Sequence, residues 1–173
     1  MSQKPCCNHI HDVQQFSHDE ISARILAAKT DCARRGVRFT PLRQQIYQLI
    51  LESTTPIGAY DLITQLQQLR LNQTAEAQDK ANKNVAPPTV YRSLEFLLSE
   101  GLIHQLTSLN AYVPCCHPRD KHTAAFLICE LCQRVQECSS LPVQEIMSFA
   151  KNDAGFLVDR SVIELGGRCK ACQ

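Results

Sequence analysis

Two pairs of cysteines with the same internal spacing carry the clearest chemical signal in this sequence. Cys129 and Cys132 form one Cys-x-x-Cys pair, and Cys169 and Cys172 form another near the end of the chain. Two intervening residues let both sulfurs of a pair reach one ion at about 2.3 Å, and four thiolates make a closed tetrahedral zinc site. A redox motif of the thioredoxin type needs only one such pair. The spacing therefore predicts a structural zinc site that stabilises the fold.

A second pool of ligand residues mixes thiol, imidazole and carboxylate side chains. Its members are His104, Cys115, Cys116, His117, His122, Glu137 and Cys138. Each alone is a common surface or hydrogen-bonded residue, and the residue types do not choose the ligands within the pool. Cysteine with histidine and one carboxylate suits Zn²⁺, whereas Mn²⁺ and non-haem Fe²⁺ sites use oxygen and imidazole. A site drawing on both halves of the chain would favour one relative orientation of two domains, which is a physical basis for a switch.

The N-terminal segment helps to predict where in the cell the protein is located. It has no apolar core of a secretion signal, and no run of about 18 apolar residues occurs anywhere in the chain. We therefore expect a cytoplasmic protein without a membrane span, in which the ten cysteines bind metal or do redox work rather than form disulfides. Residues 1–19 are polar and aperiodic, so we interpret them as a flexible arm whose cysteines and histidines have only incidental metal affinity.

The elements that must position these ligands change in kind along the chain. Apolar residues at helical spacing predict four helices, in residues 21–36, 41–50, 59–71 and 89–101. Thr40 followed by Pro41 is typical of a helix start. Residues 102–113 predict a β-hairpin that turns at 108–110, and the polar residues 72–86 predict a flexible insertion. Helices followed by a hairpin are the order of a winged helix-turn-helix.

The second half of the chain has a different pattern. Short apolar runs predict strands at residues 125–128, 134–136, 156–158 and 162–165, with an amphipathic helix at 141–151 between them. The composition changes near Pro114, so we place a domain boundary just before it. The whole chain is predicted to be an α+β protein of two small domains.

The start of the fourth predicted helix is a candidate DNA-reading element. Arg92 could bind guanine or phosphate, while Thr89 and Tyr91 could contact phosphate or base edges. Tyr60, at the start of the preceding helix, could hold the DNA backbone. The net charge is only +1, so any positive patch must be local. The residues that could form one are Arg34, Arg35, Arg38 and Arg43. The alternative interpretation is a solvated helix end.

Four stretches taken together resemble the ferric uptake regulator family. They are residues 38–43, 88–92, 122–132 and 169–172. The resemblance extends roughly from Ile21 to Cys172. It implies a winged-helix DNA-binding domain in residues 20–113 and an α/β dimerisation domain in residues 114–173. It also implies a homodimer, not an enzyme, that binds palindromic operator DNA and represses uptake genes when its metal is bound.

The resemblance also assigns residues by motif. It implies a structural zinc at Cys129, Cys132, Cys169 and Cys172, and a regulatory metal at His104, Cys115, His122 and Glu137. Tyr60 and Arg92 match DNA-contacting positions. Zinc is favoured over iron because the histidine-rich run before the first Cys-x-x-Cys pair of iron sensors is absent. Two zinc ions per chain are therefore expected, and the choice between Cys115 and Cys116 stays open.

Three other functions compete with this interpretation. A zinc hydrolase would use the mixed ligand pool with an open coordination position, but no His-Glu-x-x-His helix is present. A peroxide or redox sensor would use the abundant thiols. An iron or manganese sensor would share the same fold. The roles of the N-terminal Cys/His arm and of the insertion at residues 72–86 stay undetermined.

Overall fold

The computed structural model describes residues 10–12, 16–74, 85–119, 124–138, 143–158 and 161–173. The described helices are α1 (His18–Arg34), α2 (Pro41–Glu52), α3 (Ala59–Thr74), α4 (Pro87–Ser99) and α5 (Val143–Asn152). The described strands are β1 (Ile10–Asp12), β2 (Ile57–Gly58), β3 (Ile103–Leu106), β4 (Ala111–Pro114), β5 (Ala125–Cys129), β6 (Val135–Cys138) and β7 (Ile163–Gly167). The chain divides into two compact units, residues 14–119 and residues 120–173 together with 1–13.

The division falls after Arg119, whereas the composition predicts it before Pro114. The main chain explains the difference, because the segment after β4 hydrogen-bonds back into the first unit. The Cys115 N–H donates to the Leu102 carbonyl at 3.1 Å, and the Arg119 N–H donates to the Gly101 carbonyl at 3.2 Å. Residues 115–119 therefore belong with the helices, and we call them the wing-end loop.

The first unit has the predicted order of helices followed by a hairpin. The side chain of Thr40 accepts a hydrogen bond from the Arg43 N–H at 3.4 Å, and Pro41 occupies the first turn of α2, as its sequence predicts. The helices pack around one apolar core. Its fully buried members include Ile46, Ile50, Leu62, Leu66, Val90, Leu94 and Leu97. These positions recur at helical spacing, which is why the periodicity located the helices.

The hairpin forms part of a three-stranded sheet with the order β2-β4-β3. Asn110 has a φ of 48° at the turn, within the predicted loop. Asparagine tolerates this left-handed conformation better than most residues. Strand β2 was not predicted, because two residues are too few to show an alternating pattern. Of the predicted insertion, residues 72–74 complete α3 and residues 75–84 lie outside the described residues.

Two elements correct the prediction of a flexible arm over residues 1–19. Helix α1 begins at His18 because Ser17 caps it: the Ser17 side chain accepts from the Glu20 N–H, and the Glu20 carboxylate accepts from the Ser17 N–H at 2.7 Å. This Ser-x-x-Glu capping box was visible in the sequence. Ile10–Asp12 forms β1, paired antiparallel with β6. A strand of this length depends on the edge that it joins, so no local pattern predicts it.

The second unit contains a sheet with the order β1-β6-β5-β7, in which β5 and β7 are parallel and the other pairs antiparallel. Helix α5 lies between β6 and β7 in sequence. The predicted strand at Phe156–Val158 is absent. The Phe156 N–H donates to the Ala150 carbonyl at 2.7 Å and so closes the end of α5 instead of joining a ladder. Gly155 permits this with a φ of 61°. Among the described helices none is long and apolar enough to cross a bilayer.

Candidate metal centres and nucleic-acid surface

The four predicted zinc-binding cysteines come together in the second unit, and we call them the four-cysteine site. Cys129 is the last residue of β5, and Cys132 follows in a tight turn that ends at Gln133, where φ is 58°. Cys169 precedes a 3₁₀ turn, Lys170–Cys172, and its carbonyl accepts a hydrogen bond from the Cys172 N–H at 2.8 Å. Each Cys-x-x-Cys pair therefore lies on its own turn. The parallel pairing of β5 with β7 brings the two turns together.

The sulfur positions fit a tetrahedral zinc ion. The four Sγ atoms lie within 4.8 Å of one another, and the Sγ atoms of Cys132 and Cys169 are 3.7 Å apart. Zinc–sulfur bonds of about 2.3 Å in a tetrahedron require sulfurs about 3.8 Å apart. A cation that binds four thiolates at this spacing is fully coordinated by the protein.

Two thiols of this site, Cys129 and Cys172, differ in how readily they lose their protons. Main-chain N–H groups of Cys132 and Cys169 donate to the Cys129 sulfur and lower the pKa of Cys129 to about 6. Hydrogen bonds with the sulfurs of Cys169 and Cys132 raise the pKa of Cys172 to about 12. The Cys129 thiolate is therefore stabilised by main-chain N–H groups, whereas a metal ion that binds Cys172 must displace its proton. The donor set fits Zn²⁺, which prefers thiolate ligands.

The mixed ligand pool is only partly brought together within one unit. His104 lies on β3, opposite Val113 of β4. The Cys115 N–H donates to the Leu102 carbonyl, so the pairing of β3 with β4 extends to Cys115, just beyond the end of β4. Cys115 lies two residues after Val113 and therefore on the same face as His104. A ring nitrogen of His104 and the Cys115 Sγ lie within 4.8 Å of each other. We call these two residues the wing pair.

Burial separates the two adjacent cysteines as well. Cys115 is fully buried (0% exposed), whereas Cys116 is partly exposed. The sequence alone left this choice open, and the proximity of the Cys115 sulfur to a ring nitrogen of His104 favours Cys115 as the ligand. Glu137 lies on β6 of the other unit and is 2% exposed. His122 lies outside the described residues, so its predicted role as a ligand is not addressed by the structure.

The predicted DNA-reading residues are on the surface of their helices. Val90, Leu94 and Leu97 of α4 are buried, whereas Thr89, Tyr91 and Arg92 are exposed. Tyr60 lies in the first turn of α3 and is 75% exposed. A tyrosine side chain with this exposure is available for contact with another molecule. The unit of residues 14–119 therefore presents all four predicted DNA-contacting side chains to solvent.

The four arginines near the start of the chain do not form one free positive patch, which corrects that expectation. Arg34 forms an ion pair with Asp31, and Arg35 forms ion pairs with Asp31 and Glu100. The guanidinium of Arg43 lies over the Phe96 ring at 3.6 Å. These pairings offset the charge of two of the arginines and use a third in packing.

A group of exposed apolar residues lies in the second unit, and sequence reasoning did not single it out. Its members are Ile146, Phe149, Phe156, Leu157, Val162 and Leu165. Ile146 and Phe149 lie on α5 and the other four follow it in sequence, and Leu157 is 79% exposed. Large exposed apolar groups of this kind mark protein interaction surfaces. The apolar run at 156–158 was predicted to be a strand, whereas the exposure of Phe156 and Leu157 makes it part of a surface.

Comparisons with known proteins agree on one family. The model of the ferric uptake regulator family matches residues 34–165. The zinc uptake regulation protein of Escherichia coli (strain K12) is 40% identical over 147 residues, which are 84% of this chain and 78% of that protein. A solved structure of a zinc uptake regulator complexed with zinc and DNA superposes with a TM-score of 0.75 at 35% identity, covering 88% of this chain and 94% of that one. The peroxide-responsive repressor PerR of Staphylococcus aureus is 28% identical over 138 residues, 80% of this chain and 84% of PerR.

Proposed function

The chain belongs to the ferric uptake regulator family, and on that premise we propose that it is a zinc-responsive, DNA-binding transcriptional repressor of zinc uptake genes that acts as a homodimer. The observation that carries this proposal is the wing pair, in which the buried Cys115 thiol and the His104 imidazole approach within 4.8 Å. A thiol and an imidazole at this spacing favour zinc over iron or manganese. The relative that is named for zinc is also more similar to this chain than the one named for peroxide.

We propose two zinc ions per chain with different roles. The first is bound at the four-cysteine site, where four thiolates leave no open position, so it supports folding. The second is bound by the wing pair together with His122 and Glu137. Glu137 supplies a buried carboxylate, and carboxylate oxygen is one of the ligand types that Zn²⁺ takes beside cysteine and histidine.

The proposed switch follows from where these ligands lie in the chain. His104 and Cys115 belong to residues 14–119, and Glu137 belongs to residues 120–173. Ligands from both units would let the second ion favour one arrangement of the two units. The coupling between zinc and DNA must then be reciprocal, and such couplings are typically about 1–3 kcal/mol.

DNA recognition is assigned to α4 and the start of α3. The exposed first turns of α4 enter the major groove, where Arg92 contacts base edges or phosphate, and Thr89 and Tyr91 contact phosphate or base edges. Tyr60 contacts the DNA backbone. In a homodimer two such helices read the two halves of a palindromic operator. The exposed apolar group around α5 is the proposed dimer surface, because it would be covered by the same group of a second copy.

These roles involve no catalysis, because the four-cysteine site is closed and the regulatory ion is a signal rather than a Lewis acid. We also propose a cytoplasmic location, where reducing conditions keep the thiols available for zinc.

The function is tested with DNA selected from a random-sequence library by the zinc-bound protein. Binding to the selected DNA is then measured before and after mild chelation that removes the labile zinc but leaves the four-cysteine zinc in place. We expect a loss of affinity that added zinc restores and that iron or manganese restores poorly. Unchanged DNA affinity after the labile zinc is removed would refute the proposed switch.

A further inference from the structure

An arginine on α1 holds two successive main-chain carbonyl groups at the start of the wing-end loop. Arg24 donates from Nη1 to the Cys115 carbonyl at 2.9 Å and from Nη2 to the Cys116 carbonyl at 3.2 Å. All three residues belong to the unit of residues 14–119. The Cys115 carbonyl belongs to the peptide between Cys115 and Cys116, and the Cys116 carbonyl belongs to the next peptide. A planar guanidinium that binds both carbonyl groups restricts the orientation of these two successive peptides.

The guanidinium of Arg24 is itself held in place. It lies over the Phe16 ring at 4.2 Å from the ring centre, and its side chain is partly buried. Phe16 comes directly before the capping box at Ser17, which anchors the first turn of α1. The arginine therefore projects from a rigid element, with its direction restricted by an aromatic neighbour.

The other end of the wing-end loop is attached to the same helix. Arg119 forms an ion pair with Asp31 at 3.0 Å and donates to the Ala28 carbonyl at 3.3 Å. Asp31 and Ala28 are on α1, one to two turns after Arg24. Helix α1 thus contacts the five-residue loop at both ends. None of these hydrogen bonds and ion pairs involves the Cys115 sulfur.

We infer that Arg24 is a positioning residue for the regulatory metal, acting through the Cys115–Cys116 peptide to present the Cys115 thiol to His104. This inference rests on the proposed function of the wing pair. A change in the main-chain torsion angles of Cys115 or Cys116 would displace these carbonyl groups and move the Cys115 side chain relative to His104. The two hydrogen bonds of Arg24 oppose this change, and a lysine would hold the two carbonyl groups less rigidly because its ammonium lacks a planar fork.

The test compares Arg24→Ala and Arg24→Lys with Lys29→Ala, which removes a positive charge from an exposed position on the same helix. Zinc affinity of the regulatory site is measured by chelator competition in the full-length protein that retains its four-cysteine zinc. We expect Arg24→Ala to weaken regulatory zinc binding by about 10- to 100-fold, the range found for residues that orient metal ligands. Arg24→Lys should lie between Arg24→Ala and the parent, and Lys29→Ala should match the parent.

A spectroscopic measurement separates positioning from general stability. Cobalt(II) bound at the regulatory site reports a thiolate ligand by its charge-transfer absorption, which we expect to be weaker in Arg24→Ala because Cys115 is presented less well. The inference is overturned if both Arg24 variants keep the parent zinc affinity and cobalt spectrum. It is also overturned if zinc affinity falls only in proportion to a lower melting temperature, with an unaltered spectrum, or if neither variant folds, since the role of Arg24 would then be purely structural.

The outcome for Arg24 is distinguishable from failure of the proposed function. If the parent protein itself shows no labile zinc that strengthens DNA binding, the proposed function fails. If the parent shows that linkage and the Arg24 variants share it unchanged, only the present inference fails.

Discussion

The two proposed metal sites differ in how many of their ligands one folding unit supplies. The four-cysteine site takes all four ligands from two turns of the second unit. The wing pair supplies two ligands, one from the hairpin and one from the loop that follows it, and main-chain hydrogen bonds hold both segments in place. A metal ion that is needed for a unit to fold is released only when that unit unfolds. A metal ion that binds to a preformed pair of ligands can dissociate while the unit stays folded. This difference is what separates a structural ion from a sensed one.

The largest expected effect is loss of the structural metal. Cys132→Ala should lose zinc from the four-cysteine site and unfold the second unit. The apparent binding free energy of structural zinc in small domains is about 10–16 kcal/mol, as large as the whole stability of a domain at about 5–15 kcal/mol. Zinc content, circular dichroism and sedimentation measure the outcome.

The control for this variant is Cys138→Ala, which removes a buried cysteine outside the site. It should keep its zinc and remain a dimer. A Cys132→Ala protein that folds and dimerises like the parent would show that the four thiols are not held together by a metal.

The next effect distinguishes the two adjacent cysteines. Cys115→Ser should keep the fold and the four-cysteine zinc but lose the zinc-dependent gain in DNA affinity, about 5- to 150-fold for a coupling of 1–3 kcal/mol. Cys116→Ser is the matched control and should retain that gain. Quantitative DNA-binding titrations at fixed zinc measure both. Equal losses in the two variants would contradict the strand-register argument.

A comparable or smaller effect separates DNA contact from metal sensing. Arg92→Ala should weaken DNA binding by about 1–3 kcal/mol, because one side chain that contacts the DNA is lost. Its zinc affinity without DNA should equal that of the parent, in contrast to Cys115→Ser. Lys151→Ala, a charge removal in the other unit, should leave DNA affinity nearly unchanged. A fall in zinc affinity for Arg92→Ala would mean that α4 and the wing pair are not separate in function.

The smallest expected effect concerns α1, the helix that contacts the loop containing Cys115. Ser17→Ala removes the capping box of α1 and should lower the free energy of unfolding of the first unit by about 1 kcal/mol. Zinc in the four-cysteine site should be unaffected, because that site lies in the other unit. Ser99→Ala, at the exposed end of α4, is the control and should cost less than about 0.5 kcal/mol. Urea unfolding with a zinc-content assay measures both variants.

Much of the fold was predictable because local sequence patterns indicate the positions of its helices and of the hairpin. The buried residues of α2, α3 and α4 recur at helical spacing, and Thr40-Pro41 marks the start of α2 directly. Two short apolar runs on either side of residues 108–110 located the hairpin. Strands β1 and β2 escaped prediction because each is a short segment whose hydrogen bonds depend on a distant partner. Phe156–Val158 was predicted wrongly because an apolar run does not reveal whether its residues are buried or exposed.

For the sites, the sequence by itself determined the chemistry. Two Cys-x-x-Cys pairs define a four-thiolate donor set wherever the chain brings them together, and the mixture of cysteine, histidine and glutamate names a pool of ligands. Only the tertiary structure decided which members of the pool meet. The register of β3 with β4 places His104 beside Cys115 rather than Cys116, and Arg24 reaches the wing-end loop through backbone carbonyls that every residue carries. Contacts of that kind leave no trace in residue type or spacing, because they depend on where the main chain runs.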